Sequence, residues 1–269
     1  MVQSVSLNAK VGRRMRARIG LWGLALGLWA IAVPPQAVAR DLTVGVEAID
    51  YSPIYAWRDG QFVGAAREIL DAFAQANGHR LIFRPLPVKR LLAELIHGGI
   101  DLKFPDSPDW QPAVRLGATL SYSAPVFAYI DGTVVRSDRV GQGAEAVRTL
   151  GTVAGFTPFS WKSRVEVGSV ELKENPGFEP LLRQVLAGRI DGAYVNVAVA
   201  HHMAASLPGG QGGLSYDPDL PHISDSYRLS SRVAPEIVAE FDAWLAANQG
   251  VVAAIVARTG AEAGLKGAR

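Results

Sequence analysis

Between Leu42 and Asp101 the apolar pattern alternates between two periods in a fixed order, and few folds accommodate that order. Leu42–Glu47 is a short apolar run of strand character, followed by a loop rich in rings (Tyr51, Tyr55, Trp57). Gly64 opens an alanine-rich segment in which Ile69, Leu70, Phe73 and Ala76 recur at helical spacing, and Gly78 ends it. A second strand is read over Leu81–Pro85. A second helix, Val88–His97, is opened by Pro87 and carries Leu91, Leu92, Leu95 and Ile96 on one stripe. Gly98-Gly99 leads into a third strand, Ile100–Phe104. Strand, helix, strand, helix, strand at this spacing predicts a parallel sheet with crossover helices. Ligands of such sheets sit beyond the C-terminal ends of the strands. Glu47, Tyr51, Lys103 and the loop after Phe104 are therefore expected to border one cleft for a small solute.

Residues 1–39 read as a secretory leader. Arg13, Arg14, Arg16 and Arg18 form a basic start, Ile19–Val33 is an uncharged apolar run, and Ala37-Val38-Ala39 is a small-x-small cleavage site. The apolar run is short for a membrane span. Cleavage near Ala39-Arg40 and a periplasmic location are expected. With its lysine, the leader takes five of the 27 Lys and Arg residues and none of the 25 acids, so the remainder is slightly acidic. No basic cluster suggests nucleic acid. The chain has no cysteine, which excludes disulfides, a thiol nucleophile and a lipid-anchoring cysteine.

After Phe104, Pro105-Asp106-Ser107-Pro108-Asp109-Trp110-Gln111-Pro112 carries too many prolines for a helix or central strand. It predicts a rigid loop whose Asp106 and Trp110 suit a ligand wall, with Lys103 just before it. Tyr122–Val135 reads as extended, with a turn at Asp131-Gly132. A second α/β pattern follows: strands at Leu150–Val153, Val170–Leu172 and Ile190–Val195, helices at Phe178–Ala187 and Val197–Ser206, and a short helix opened by Gly155-Phe156-Thr157-Pro158. Backbone N–H groups at Phe156 and Thr157 would make a seat for an anion. Tyr227–Ser231 is extended again, then Ala234–Asn248 and Val251–Thr259 are helical, the first burying Ile237, Phe241, Trp244 and Leu245. The chain thus leaves one α/β lobe, builds another and returns. The expected division is leader 1–39, first lobe 40–126, second lobe 127–225 and a return over 226–269, with the two crossings acting as a hinge.

Leu42-Thr43-Val44-Gly45-Val46, Tyr51-Ser52-Pro53, Gly99-Ile100-Asp101, Tyr122-Ser123-Ala124-Pro125 and Gly188-Arg189-Ile190-Asp191-Gly192 occur in this order over nearly the whole chain. In this the chain resembles the periplasmic solute-binding proteins of the amino-acid ABC-transporter type (family 3, type-II fold). The resemblance implies two lobes, each a mainly parallel sheet flanked by helices, joined by two hinge strands. It implies a binder without cofactor that hands its solute to an ABC-type permease, and a monomer is the default expectation. It places Tyr51 where the family stacks a ring on its ligand. Arg115 becomes the candidate for the arginine that grips an α-carboxylate as a bidentate pair. Asn196 stands where the family pairs an aspartate with the α-ammonium. An amide there removes a countercharge and should weaken a zwitterion by roughly 1–3 kcal/mol, so a derivative or a non-amino-acid solute is within reach. Asp106 and Glu47 are candidates to restore the charge.

Two other roles suit the same fold. One is a cyclohexadienyl-dehydratase-like enzyme, for which Glu47, Asp106 and His201 are conceivable acids or bases, though nothing in the sequence pairs them. The other is a sensor or accessory protein presenting a bound solute to a membrane receptor. His201-His202 on a helix point about 100° apart and do not suit one metal ion.

Overall fold

The computed structural model describes residues 39–265. The expected leader, up to Val38, lies outside the described residues. Among the described residues no helix is long and apolar enough to cross a membrane.

The first strand, β1 (Asp41–Glu47), is followed by a small antiparallel meander of β2 (Asp50–Tyr51), β3 (Tyr55–Arg58) and β4 (Gln61–Val63). The ring-rich stretch read as loop is thus a three-stranded sheet. Its side chains alternate too briefly to show a period, and its strands are only two to four residues long. Helix α1 (Ala65–Asn77) then buries Ile69, Leu70 and Phe73 as expected, with Ala74 rather than Ala76 completing the face. Strand β5 (Arg80–Leu86), helix α2 (Val88–His97), strand β6 (Leu102–Asp106), a short helix α3 (Pro112–Arg115) and β7 (Ser121–Tyr122) complete the first run. Both β5 and β6 pair parallel with β1. Gly45 lies in β1 beneath α2, where a Cβ would stand 2.6 Å from the tip of Leu91 and 2.3 Å from the tip of Ile100, so a larger residue would have to push those side chains aside.

The chain then crosses along β8 (Phe127–Arg136) and builds β9 (Thr149–Val153), α4 (Lys162–Glu166), β10 (Glu171–Asn175), α5 (Phe178–Leu186), β11 (Gly192–Asn196), α6 (Val197–Ser206) and β12 (Leu214–Tyr216). It comes back along β13 (Ile223–Ser231) into α7 (Pro235–Ala247) and α8 (Gln249–Thr259). The main sheet runs β10-β9-β11-β8-β13-β6-β1-β5. Its two ends are parallel and its middle, where β8 and β13 meet, is antiparallel. Strand β13 pairs with β8 over residues 223–227, then changes partner to β6 at Arg228. The two long strands therefore carry the chain between two lobes, each a parallel sheet flanked by helices.

Three local expectations are corrected. Asp131-Gly132 is not a turn: β8 runs through it, and Gly132 is there because a Cβ would stand 2.4 Å from the Tyr216 ring. Strand β6 extends through Pro105 to Asp106, so the loop starts later than its prolines suggest. No helix opens at Gly155: residues 155–158 are irregular, and helical turns begin only at Phe159. Pro158 has no N–H and biases Thr157 towards extended backbone, which delays the helix.

The lobes are closed on each other, and the described residues form one compact unit. Tyr51 of the first lobe stacks on Phe156 of the second at 5.9 Å between centroids and meets Phe178 edge-on at 5.2 Å. Lys89 reaches Glu174 across the gap at 3.9 Å. In the first lobe Phe73, Phe241 and Trp244 pack edge to face or tilted around α1 and α7. Each such buried ring contributes on the order of 1.5–3 kcal/mol.

Candidate functional site

A cavity of about 360 Å³ lies between the lobes, beyond the C-terminal ends of β1 and β6. The first lobe contributes Glu47, Val88 and residues 108–112, and the second contributes Asp131, Tyr194, Gly155, Phe156, Thr157 and Phe159. A space of this size holds a small solute.

On the first-lobe side, Glu47 ends β1 and is about nine-tenths buried. The Tyr55 hydroxyl donates to its Oε2, while Oε1 accepts no hydrogen bond from a described residue. Burial raises the Glu47 pKa, partly offset by the Lys103 charge and the Tyr55 bond. At the end of β6, Asp106 is fully buried and is the hub of an internal charge network. Lys103 Nζ donates to Asp106 Oδ1 at 2.9 Å and to the Pro105 carbonyl at 2.8 Å. Arg115 makes a bidentate pair with Asp106 at 2.7 and 3.2 Å, and the Ser230 hydroxyl donates at 2.6 Å. Burial pushes the Asp106 pKa up, but the two cations outweigh it and hold the carboxyl below its usual range. Arg115 also donates to the Trp110 carbonyl at 2.5 Å and to the Tyr122 hydroxyl, so its donors are committed to the scaffold. The network fixes the loop, and Trp110 rides above Lys103 with 5.0 Å between Nζ and the ring centre. Gln111, next in the chain, takes a left-handed φ of 50°. A non-glycine residue there is strained, as binding-site residues often are. Gln111 lines the cavity.

On the second-lobe side, Phe156 and Thr157 line the cavity from the irregular segment after Gly155. Asp131 faces it from β8, with Tyr129 two residues earlier on the same face. Burial raises the Asp131 carboxyl to a pKa of about 7, with the Asn196 amide pulling the other way. No lysine or arginine among the described residues pairs with it. The Tyr129, Tyr194 and Tyr227 hydroxyls are likewise pushed up by burial, and the Asp131 charge adds to each.

Of the nine residues proposed from the sequence, Glu47, Trp110, Phe156 and Thr157 line the cavity. Tyr51 lies beside it, buried in the ring stack that joins the lobes. Lys103, Asp106 and Arg115 stand behind its wall, engaged with one another. Asn196 caps α6 by accepting from Val199 N–H at 3.0 Å and donates to the Tyr227 hydroxyl at 3.0 Å. The sequence reading missed Asp131, Tyr129, Tyr194 and Gln111. Tyr129 and Asp131 alternate with Phe127 along one face of β8, a signal lost when Asp131-Gly132 is taken as a turn. Among the described residues no cluster of three or more His, Asp or Glu side chains could hold a metal ion.

A larger hollow of about 690 Å³ lies between residues 124–127 and α7–α8. Its two acids, Asp242 and Glu262, already accept from the Ala124 and Ala128 N–H groups, and no residue of the cleft faces it.

No family model matches the sequence, and no curated protein does either. Solved structures do resemble the fold. The arginine-bound amino-acid ABC transporter substrate-binding protein AbpA of Streptococcus pneumoniae aligns with a TM-score of 0.63 at 18% identity, over 82% of this chain and 94% of its own. A histidine kinase sensor domain described as similar to periplasmic binding proteins aligns with a TM-score of 0.65 at 19% identity, over 82% and 96%. The ancestral amino-acid-binding protein AncCDT-1, a precursor of cyclohexadienyl dehydratase, gives 0.63 at 17%, over 81% and 95%. Two parallel half-sheets, two antiparallel strands joining them and a cavity between the halves give this chain the type-II fold of periplasmic solute-binding proteins.

Proposed function

We propose that this chain is a periplasmic solute-binding protein that traps a small polar solute between its lobes and passes it, unaltered, to an ABC-type permease. The observation that carries the reading is the cavity at the strand ends, with walls from both lobes. Phe156 and Phe178 closing on Tyr51 supply the apolar latch, while the exposed Lys89–Glu174 pair adds little. Closure about β8 and β13 is hinge motion. The lobe limits are 40–126 with 226–269, and 127–225; this division is supported by β8 starting at Phe127 and by β13 changing partner at Arg228. The leader pattern of residues 1–39 supports export and cleavage near Ala39-Arg40, and the working form is a monomer. Asp106 is tied to Lys103 and Arg115 and so is not free to move a proton, which counts against it as a catalytic acid or base.

A thermal-shift screen of the purified chain against amino acids, opines, polyamines and small organic acids tests this. A saturable rise in melting temperature with one class is expected. Conversion of an arogenate-like acid would instead establish an enzyme. No shift with any solute would remove the binding reading.

A further inference from the structure

Resting on that reading, we propose that the solute is a compact organic cation that bears no carboxylate. The charges at the site decide this. Glu47, Asp109 and Asp131 line the cavity, and no lysine, arginine or histidine among the described residues does. Of the basic side chains close to it, Lys103 and Arg115 are bound to buried Asp106, and Lys89, whose stem packs against Gly155, turns its ammonium to Glu174 at 3.9 Å. Counting the Asp106 network with the cavity, four carboxylates face two cations. A guest carboxylate would enter an acidic pocket with no side-chain cation to meet it, and burying an unpaired charge is costly. A guest cation meets the opposite situation. Glu47 offers the oxygen that Tyr55 leaves free, and Asp131 offers a carboxylate with no ionic partner.

The rest of the lining agrees. Trp110, Tyr129, Phe156, Phe159 and Tyr194 bring five aromatic rings to a cavity of about 360 Å³. Ring faces attract cations, by roughly 0.5–2 kcal/mol each when water is excluded. Asp109 is exposed and stands at the rim, where it would draw a cation inward. The residue types that would grip an α-carboxylate are present in the sequence but have been turned to hold the wall.

Two matched pairs of probes, each differing by a carboxylate, test this by isothermal titration: agmatine against L-arginine, and choline against glycine betaine. In whichever pair binds, the carboxylate-free member is expected to bind at least tenfold more tightly. Asp131→Asn and, separately, Glu47→Gln should each lower that affinity at least tenfold. Asp131→Asn removes a charge that burial opposes, so it should leave folding intact. Equal or tighter binding of the carboxylated member overturns the inference, as does unchanged affinity in both variants. If neither pair binds while the wider solute screen finds a neutral or anionic ligand, the cation inference falls and solute capture stands. If nothing binds at all, both fall.

Discussion

Replacing Asp106 by alanine leaves two buried cations without their paired carboxylate. Asp106 is fully buried, and the side chains of Lys103 and Arg115 are only 5% and 9% exposed. Breaking a buried pair by removing one member costs about 3–5 kcal/mol, because the remaining charge is stranded. Here one carboxylate serves two cations and a serine hydroxyl, which places the expected loss at the upper end, about 4–5 kcal/mol. A domain of this size has a stability of about 5–15 kcal/mol, so the variant should fold but unfold far more easily. The melting temperature should fall by roughly 8–20 °C at 2–4 °C per kcal/mol. Urea unfolding followed by far-ultraviolet circular dichroism measures this, and the midpoint should drop with little change in slope. Lys103→Met with Asp106→Leu and Arg115→Met, which removes the charges together, should recover much of the loss. A loss below about 1 kcal/mol for Asp106→Ala would refute the assignment of Lys103 and Arg115 to the scaffold and return them as candidates for binding a ligand carboxylate.

Other consequences can be checked separately. Gly155→Ala should weaken solute affinity by at least tenfold in calorimetry, because Gly155 has φ +98° and a Cβ there would stand 3.2 Å from Val88 of the opposite lobe; unchanged affinity would mean the closed contact is unimportant. Affinity for agmatine should rise about tenfold per pH unit from pH 5 to about 7 and then level off, since a proton and the guest compete for Asp131. The groups facing Asp131 are Glu47, Tyr51 and Tyr55 from the first lobe, Tyr129 on its own strand, Tyr194 and Asn196 on β11, and Tyr227 on β13; none is a fixed cation. For the unliganded protein the sign reverses. A carboxyl whose folded pKa is raised contributes most to stability at low pH, and that contribution is lost as pH climbs from about 4 towards 7. Trp161 is fully buried and donates to the Thr133 hydroxyl at 2.9 Å, so Trp161→Ala should cost about 3–5 kcal/mol in chemical unfolding; a cost under 1 kcal/mol would show that the second lobe tolerates the hole.

The helices of the first lobe were legible because each carries a single apolar stripe on a polar background, as Leu91, Leu92 and Leu95 do on α2. The crossings were legible as extended runs between two α/β patterns. The meander over residues 50–63 was not, since its strands are too short to establish a period. At the site, Glu47 and Trp110 could be placed because a strand end and a proline-rich loop point to a ligand wall. Asp131 could not, because Asp-Gly signals a turn locally. Packing of Tyr216 against Gly132 overrides that signal, and no local pattern encodes the contact. Arg115 shows the complementary limit. Its spacing suggests a carboxylate grip, but which carboxylate it meets depends on the loop and α3 folding back onto Asp106 at the end of β6.

Because the chain has no cysteine, a single pair of introduced thiols reports on lobe movement without background. Spin labels at exposed Asp71→Cys on α1 and Glu179→Cys on α5, measured by pulsed electron–electron resonance with and without the solute that raises the melting temperature most, follow the two lobes directly. Two lobes that shut on a guest predict a broad distance distribution in its absence, and a single narrower and shorter one when it is saturating. One unchanging distance in both conditions would contradict capture by closure.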